Sequence, residues 1–256
     1  MLILSSWVAR GHVGLSAGAP VLQLLGHEVT QLPTVILSNH PGFSHVAGQP
    51  VAVDQLDAMI AALEGNGWLA EIDALLTGYL PSPDHVALAV GLAERLRGRA
   101  RIVVDPVLGD APKGLYLPEA VAEALRDGLV PLADVLTPNL FELGWLSGMP
   151  EGPVETAGRR LAEGCEVLVT SVPAKDGRIG VRRFGGDGGL WAAPRREGVP
   201  HGVGDVFAAL VAGGLGPGAA LGHLDALIGA SLGHPHLRIA EAAATWTTAP
   251  PQPEET

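Results

Sequence analysis

The stretch HGVGDVFAAL (201–210) sets two glycines and a single aspartate at the start of an apolar helical pattern. Gly202 and Gly204 let the backbone turn tightly and come close to a ligand, and the first N–H groups of the helix have no partner inside it. That end carries the positive pole of the helix and suits a phosphate group. Asp205 would stand beside the anion, placed to take a proton from an attacking hydroxyl. Aspartate is also a favoured helix cap, so GxGD alone supports both roles.

Two other stretches bear on the choice. Asp105 closes the apolar run of RIVVDPVLGD (101–110), and Asn139 with Glu142 makes an N-x-x-E pattern in TPNLFEL (137–143). Mg²⁺ takes hard oxygen ligands and keeps several waters, so Asp105 and Glu142, reaching it directly or through water, would suffice. Each has an ordinary role too: Asp105 in a turn before Pro106, Asn139 as a helix cap, Glu142 as a first-turn acid. Their joint occurrence ahead of a GxGD helix favours phosphate chemistry.

Composition removes other classes. Lys+Arg 16 against Asp+Glu 27 leaves a net charge of -11, with no basic stretch to neutralise nucleic acid or an acidic membrane. Cys165 is the only cysteine, so neither a disulfide framework nor a thiolate zinc cluster is available. No G-x-x-x-x-G-K-[ST] run and no G-x-G-x-x-G after the first strand occurs. HPH at 234–236 lacks further ligands at metal spacing and reads as a solvated turn. His12 and His40 lie in glycine-bearing loops after strands, where they either line a pocket or bond loop backbone. The N-terminal apolar run is too short for a signal peptide, which makes cytoplasmic the expected location.

Positioning these groups requires an alternation of strands and helices. Strands are expected at 2–5, 28–35, 73–78, 101–106, 134–138, 166–171, 177–184 and 188–193. Helices are expected near 16–25, 53–65, 83–97, 118–128, 140–147, 154–163, 205–214, 218–232 and 236–246. The pattern predicts an α/β fold over 1–248, a mostly parallel sheet flanked by helices on both faces, with a disordered tail at 249–256. Several strands end in Ser5 and Ser6, Thr34, Thr77, Asp105, Thr137 or Thr170, which would meet in a crevice beyond the strand ends.

SSWVARGHVG (5–14), PTVILSNHPG (33–42), LLTGYLPS (75–82), IVVDPVLGDAPKGLYLPE (102–119), LVPLADVLTPNLFEL (129–143) and HGVGDVFAAL together resemble the pyridoxal kinases of the ribokinase-like superfamily. The resemblance implies ATP-dependent phosphorylation of the 5′-hydroxymethyl group of pyridoxal, with Asp205 as base and Gly202, Val203 and Gly204 as anion hole. It implies contacts to ATP or its magnesium at Asp105, Thr137, Glu142 and Thr170, and to the pyridine substrate at Ser6, Pro41 and Tyr79. It further implies a flap at 109–116, a homodimer and a role for a monovalent cation. Two departures fall on the substrate side: Pro41 stands where the family usually has threonine, and Trp7 where it commonly has histidine. A hydroxymethylpyrimidine or sugar kinase of the same fold, and a non-catalytic pyridoxal binder, are the alternatives. The SNH and TGYL segments speak against the first, the retained Asp205 against the second.

Overall fold

The computed structural model describes residues 1–255. The strands are β1 (Leu2–Val8), β2 (Thr30–Leu37), β3 (Gly48–Pro50), β4 (Ala74–Thr77), β5 (Arg101–Val104), β6 (Gly109–Asp110), β7 (Gly114–Leu115), β8 (Val135–Leu136), β9 (Glu166–Pro173), β10 (Ile179–Phe184) and β11 (Leu190–Ala193). Between them run α1 (Leu15–Leu24), α2 (Val53–Gly65), α3 (Pro83–Leu96), α4 (Glu119–Ala124), α5 (Leu140–Leu146), α6 (Val154–Leu161), α7 (Val203–Ala212), α8 (Pro217–Ser231) and α9 (Ala243–Trp246).

Nine strands form one sheet in the order β11-β10-β9-β8-β5-β4-β1-β2-β3. The central pairs are parallel and only the edges turn antiparallel. The expected α/β architecture is what the chain adopts. Period-2 alternation explains the two cores: Leu2, Leu4, Leu75, Ile102, Val104, Leu136 and Val167 enter the layer on one face. Ile3, Leu76, Val103, Val135 and Leu168 enter the layer packed with α1, α7 and α8 on the other. Parallel strands buried on both faces explain the near-continuous apolar runs. From β1 the chain winds first to β2 and then back to β4 on the other side, so the order reverses at β1. A crevice opens beyond the strand ends at such a reversal.

Three expectations change. The helix read over 236–246 shrinks to Ala243–Trp246. Upstream, the Arg238 N–H goes to Ser231 Oγ and the Ile239 carbonyl accepts the Trp246 indole N–H, so side chains take the bonds a helix would have used. The helix from 118 leaves α-geometry after Ala124, passing through a wide turn at Leu125–Leu129 and a tight one at Val130–Leu132 around Pro131. The tail after 248, expected to be disordered, is ordered through residue 255. Gln252 N–H donates to the Gly218 carbonyl, Glu255 N–H donates to the Leu190 carbonyl, and Glu254 bridges to Trp191. The Arg178 guanidinium also pairs with Glu255. A Pro-rich segment has no periodicity to read, yet it is already extended and covers the edge strand β11.

Candidate active site

Among the described residues, side chains cap only α3 and α5 of the α-helices, and α7 differs from both. Ser82 caps α3 through the His85 N–H, and Pro83 follows at the first helical position. Asn139 caps α5 in a reciprocal box with Glu142. No side chain caps α7: its N-cap is Gly202, at φ +101°, and Asp205 lies inside the first turn. The capping role considered for Asp205 therefore falls to a glycine. A Cβ at Gly202 would sit 1.8 Å from the His12 carbonyl oxygen, whereas one at Gly204 would meet open space. The N–H groups of Val203 and Gly204 have no acceptor inside α7, and the positive pole of the helix lies at this end.

The Asp205 carboxyl is pushed up to about 6 by burial, against the N–H groups of Gly14 and of Asp205 itself, which pull it down. Gly14 can approach because it is glycine at φ +54°, its Cα pressed against Ser6; a Cβ there would lie 2.2 Å from the Ser6 carbonyl oxygen. A water-sized cavity at this point is lined by Ser5, Gly14, Gly78, Asp105 and Asp205 among others, where the order of the sheet reverses.

Asp105 is buried directly after β5 and accepts from Thr137 Oγ1 at 3.2 Å. Burial, then Glu142, then Asp205 push its carboxyl well above the usual range, with the Thr137 bond opposing. Glu142 is buried too, and its two oxygens accept three backbone N–H groups: Leu108 at 2.8 Å, Gly109 at 3.5 Å and Asn139 at 2.9 Å. Burial still pushes it up to about 7. Glu142 thus fills the capping role foreseen for it and also ties α5 to the loop after Asp105. That loop contains Val107 at φ +47°, a conformation a β-branched residue adopts only when its surroundings impose it. Of the carboxylate's roughly four lone-pair directions, about one stays open. Among the described residues no three carboxylate, imidazole or thiol groups cage a metal. The crowding of Asp105 by two carboxylates nonetheless suits a hydrated dication, which would lower the cost of their charges.

The remaining predicted residues spread over two sides. Thr170 N–H donates to the Pro138 carbonyl at 2.8 Å, and its hydroxyl lies 3.5 Å from the same oxygen, beside the entry to α5. The expected flap is the antiparallel hairpin β6–β7, held by Asn139 Nδ2 on the Gly109 carbonyl at 2.8 Å. Tyr79 N–H donates to Ser5 Oγ at 3.2 Å, and its carbonyl accepts from Thr34 Oγ1 at 2.7 Å. Ser6 is half-buried against Gly14. Pro41 is exposed on the 38–47 loop, outside the lining of the small cavity. His12 Nδ1 meets the Ser16 carbonyl in the first turn of α1 at 2.9 Å, while His40 Nδ1 accepts the Gly42 N–H of its own loop at 3.0 Å. His236 of the HPH turn is half-buried rather than solvated, its ring 5.5 Å from that of Phe43. Sequence reasoning assigned no role to Gly14, Gly78 or His201. Gly14 had a signal, the glycine of GHVG facing a GxGD turn; the other two had none.

The phosphomethylpyrimidine kinase family matches residues 26–224. The chain belongs to that family. Pyridoxal kinase PdxY of Leifsonia xyli is 37% identical over 222 residues, which is 82% of this chain and 78% of that protein. The pyridoxine/pyridoxal/pyridoxamine kinase of Bordetella avium is 36% identical over 228 residues, 84% of this chain and 77% of the relative. The pyridoxal kinase of Leishmania donovani, solved with ADP and pyridoxamine, superposes with a TM-score of 0.88 at 29% identity, covering 98% of this chain and 97% of that one. The resemblance read from the sequence, and the ribokinase-like fold it implied, are borne out. Among the described residues no helix is long and apolar enough to cross a membrane.

Proposed function

We propose that this chain transfers the γ-phosphoryl group of ATP to the 5′-hydroxymethyl group of pyridoxal. The observation that carries the reading is a carboxylate of raised pKa, Asp205, in the first turn of a helix that no side chain caps. As the substrate oxygen bonds to phosphorus, its proton passes to Asp205, and the bond between the γ-phosphorus and the β-γ bridging oxygen breaks to release ADP. The amides of the Gly202–Val203–Gly204 turn face the charge on the transferring group, where preorganised donors do most of the work in phosphoryl transfer. A pKa near 6 leaves Asp205 ionised at neutral pH yet basic enough to hold a proton in passing. Asp105 and Glu142 would hold magnesium, which supplies neutralising charge to the phosphates when bound. Thr137 orients Asp105, and Thr170 borders the nucleotide side. Ser6, Tyr79 and the Pro41 loop flank the pyridine ring.

Relatives named for pyridoxal, and related structures holding ADP with pyridoxamine or pyridoxine, support this acceptor. The family's description favours a second reading, transfer to a hydroxymethylpyrimidine on the same apparatus. ADP release measured with Mg·ATP and each of pyridoxal, pyridoxine, pyridoxamine and hydroxymethylpyrimidine separates the two. The highest kcat/KM is expected for a B6 vitamer; turnover with the pyrimidine alone would overturn the proposal.

A further inference from the structure

The 38–47 loop and the turn entering α7 are far apart in the chain but meet through two imidazoles. His40 and His201 stack with ring centroids 3.9 Å apart and planes 24° from parallel. Gly42 makes room for the pair, since a Cβ there would lie 2.8 Å from His40 Nδ1 and 3.0 Å from His201 Nε2. The Gly42 N–H donates to His40 Nδ1, so that nitrogen keeps its lone pair and the ring is neutral. A second ring contact, Phe43 on His236, holds the same loop against the turn after α8.

We infer that His201 is a positioning residue for the proposed transfer, holding the 38–47 loop over the Gly202–Asp205 turn through its stack on neutral His40, and that protonation of His40 releases the loop. The inference rests on reading that turn as the anion hole and that loop as the substrate side. The titratable groups facing His40 are His201 from the turn before α7 and Lys113 from the β6–β7 hairpin. Burial first, then those two groups, bring His40 down from 6.5 to about 4. The closed loop therefore binds the proton less well than the open one. Closure is at full strength above about pH 6.5 and weakens as pH falls toward 4. Protonation would turn Nδ1 from acceptor into donor, facing the Gly42 N–H, and would set a cation against the neighbouring ring.

The test compares wild type, His201→Ala and His201→Phe by hydrogen exchange of the 38–47 amides and by steady-state kinetics. His201 is exposed, so neither substitution empties the core. The alanine protein should exchange these amides ~2- to 10-fold faster and show a pyridoxal KM raised by a similar factor, with the ATP KM unmoved. Phenylalanine keeps a stacking ring. It should restore both values and leave the rise of pyridoxal KM below pH 6.5 in place, because His40 and its burial remain. Unchanged exchange in His201→Ala, or His201→Phe as loose as His201→Ala, would overturn the clasp. Absence of turnover on pyridoxal in wild type would overturn the activity reading instead; the exchange measurement needs no substrate and then decides the clasp alone.

Discussion

On the Asp105–Glu142 side of the crevice, the working groups sit at strand ends and a helix cap, each tied by backbone hydrogen bonds. On the Pro41–Tyr79 side, the mouth is a loop held by ring contacts between residues far apart in the chain. On the first side Asp105 and Glu142 are buried and must be satisfied; Glu142 alone accepts three N–H groups. The second is held by aromatic contacts worth ~0.5–1.5 kcal/mol each, which suits a part that must admit a substrate. In the proposed reading the first side would bind phosphate and the second the acceptor, and both departures from the resemblance, Pro41 and Trp7, fall on the latter.

The largest effect should come from Asp205→Asn. Turnover, followed as ADP release, should fall ~10²–10⁴-fold with little change in ATP affinity. The same change should raise Tm. A carboxyl held at about 6, against an ordinary 3.8, adds stability in full below pH 3.8 and loses it as pH rises through 6. Removing the charge should therefore return up to ~3 kcal/mol at pH 7.5, less the worth of any N–H bond that asparagine does not keep, read by thermal unfolding. Glu142→Gln also removes a charge that burial disfavours, but it leaves one of three N–H donors without an acceptor at a cost of ~1–3 kcal/mol, so its Tm should rise less than that of Asp205→Asn. The magnesium concentration for half-maximal rate should rise with it. A smaller Tm gain for Glu142→Gln would separate a carboxylate that serves chemistry from one that also serves the fold; an equal gain in both would erase the distinction. The smallest effect belongs to the mouth. Pro41→Thr restores a hydroxyl worth ~0.5–1.5 kcal/mol, so pyridoxal KM should fall at most about tenfold while ATP KM holds. A shift in ATP KM alone would move the 38–47 loop away from the acceptor.

The same contrast explains what could be read in advance. Strand runs such as RIVV and the capping box of Asn139 and Glu142 are local, and their meaning survives folding. The crevice could be foreseen from Thr77, Asp105 and Thr137, because polar residues ending parallel strands share one edge of the sheet. The N–H of Gly14 on Asp205 and the stack of His40 on His201 could not, since nothing in either segment points to its partner. Ser6 and Tyr79 carried a family signal, but their contacts run through Gly14 and Ser5, a loop and a neighbouring strand. The ordered tail was missed because periodicity does not detect a proline-rich strap whose partners are Gly218 and Leu190.

The central claim is that Asp205 accepts the acceptor's proton at the α7 N-terminus. It is tested most directly by kcat/KM for ATP against pH, at saturating pyridoxal so that the loop clasp does not enter the reading. Wild type should lose rate as pH falls through about 6, where Asp205 takes up its proton. The residual rate of Asp205→Asn should show no such limb. A wild-type profile flat from pH 5 to 8, or the same acid limb in Asp205→Asn, would contradict it.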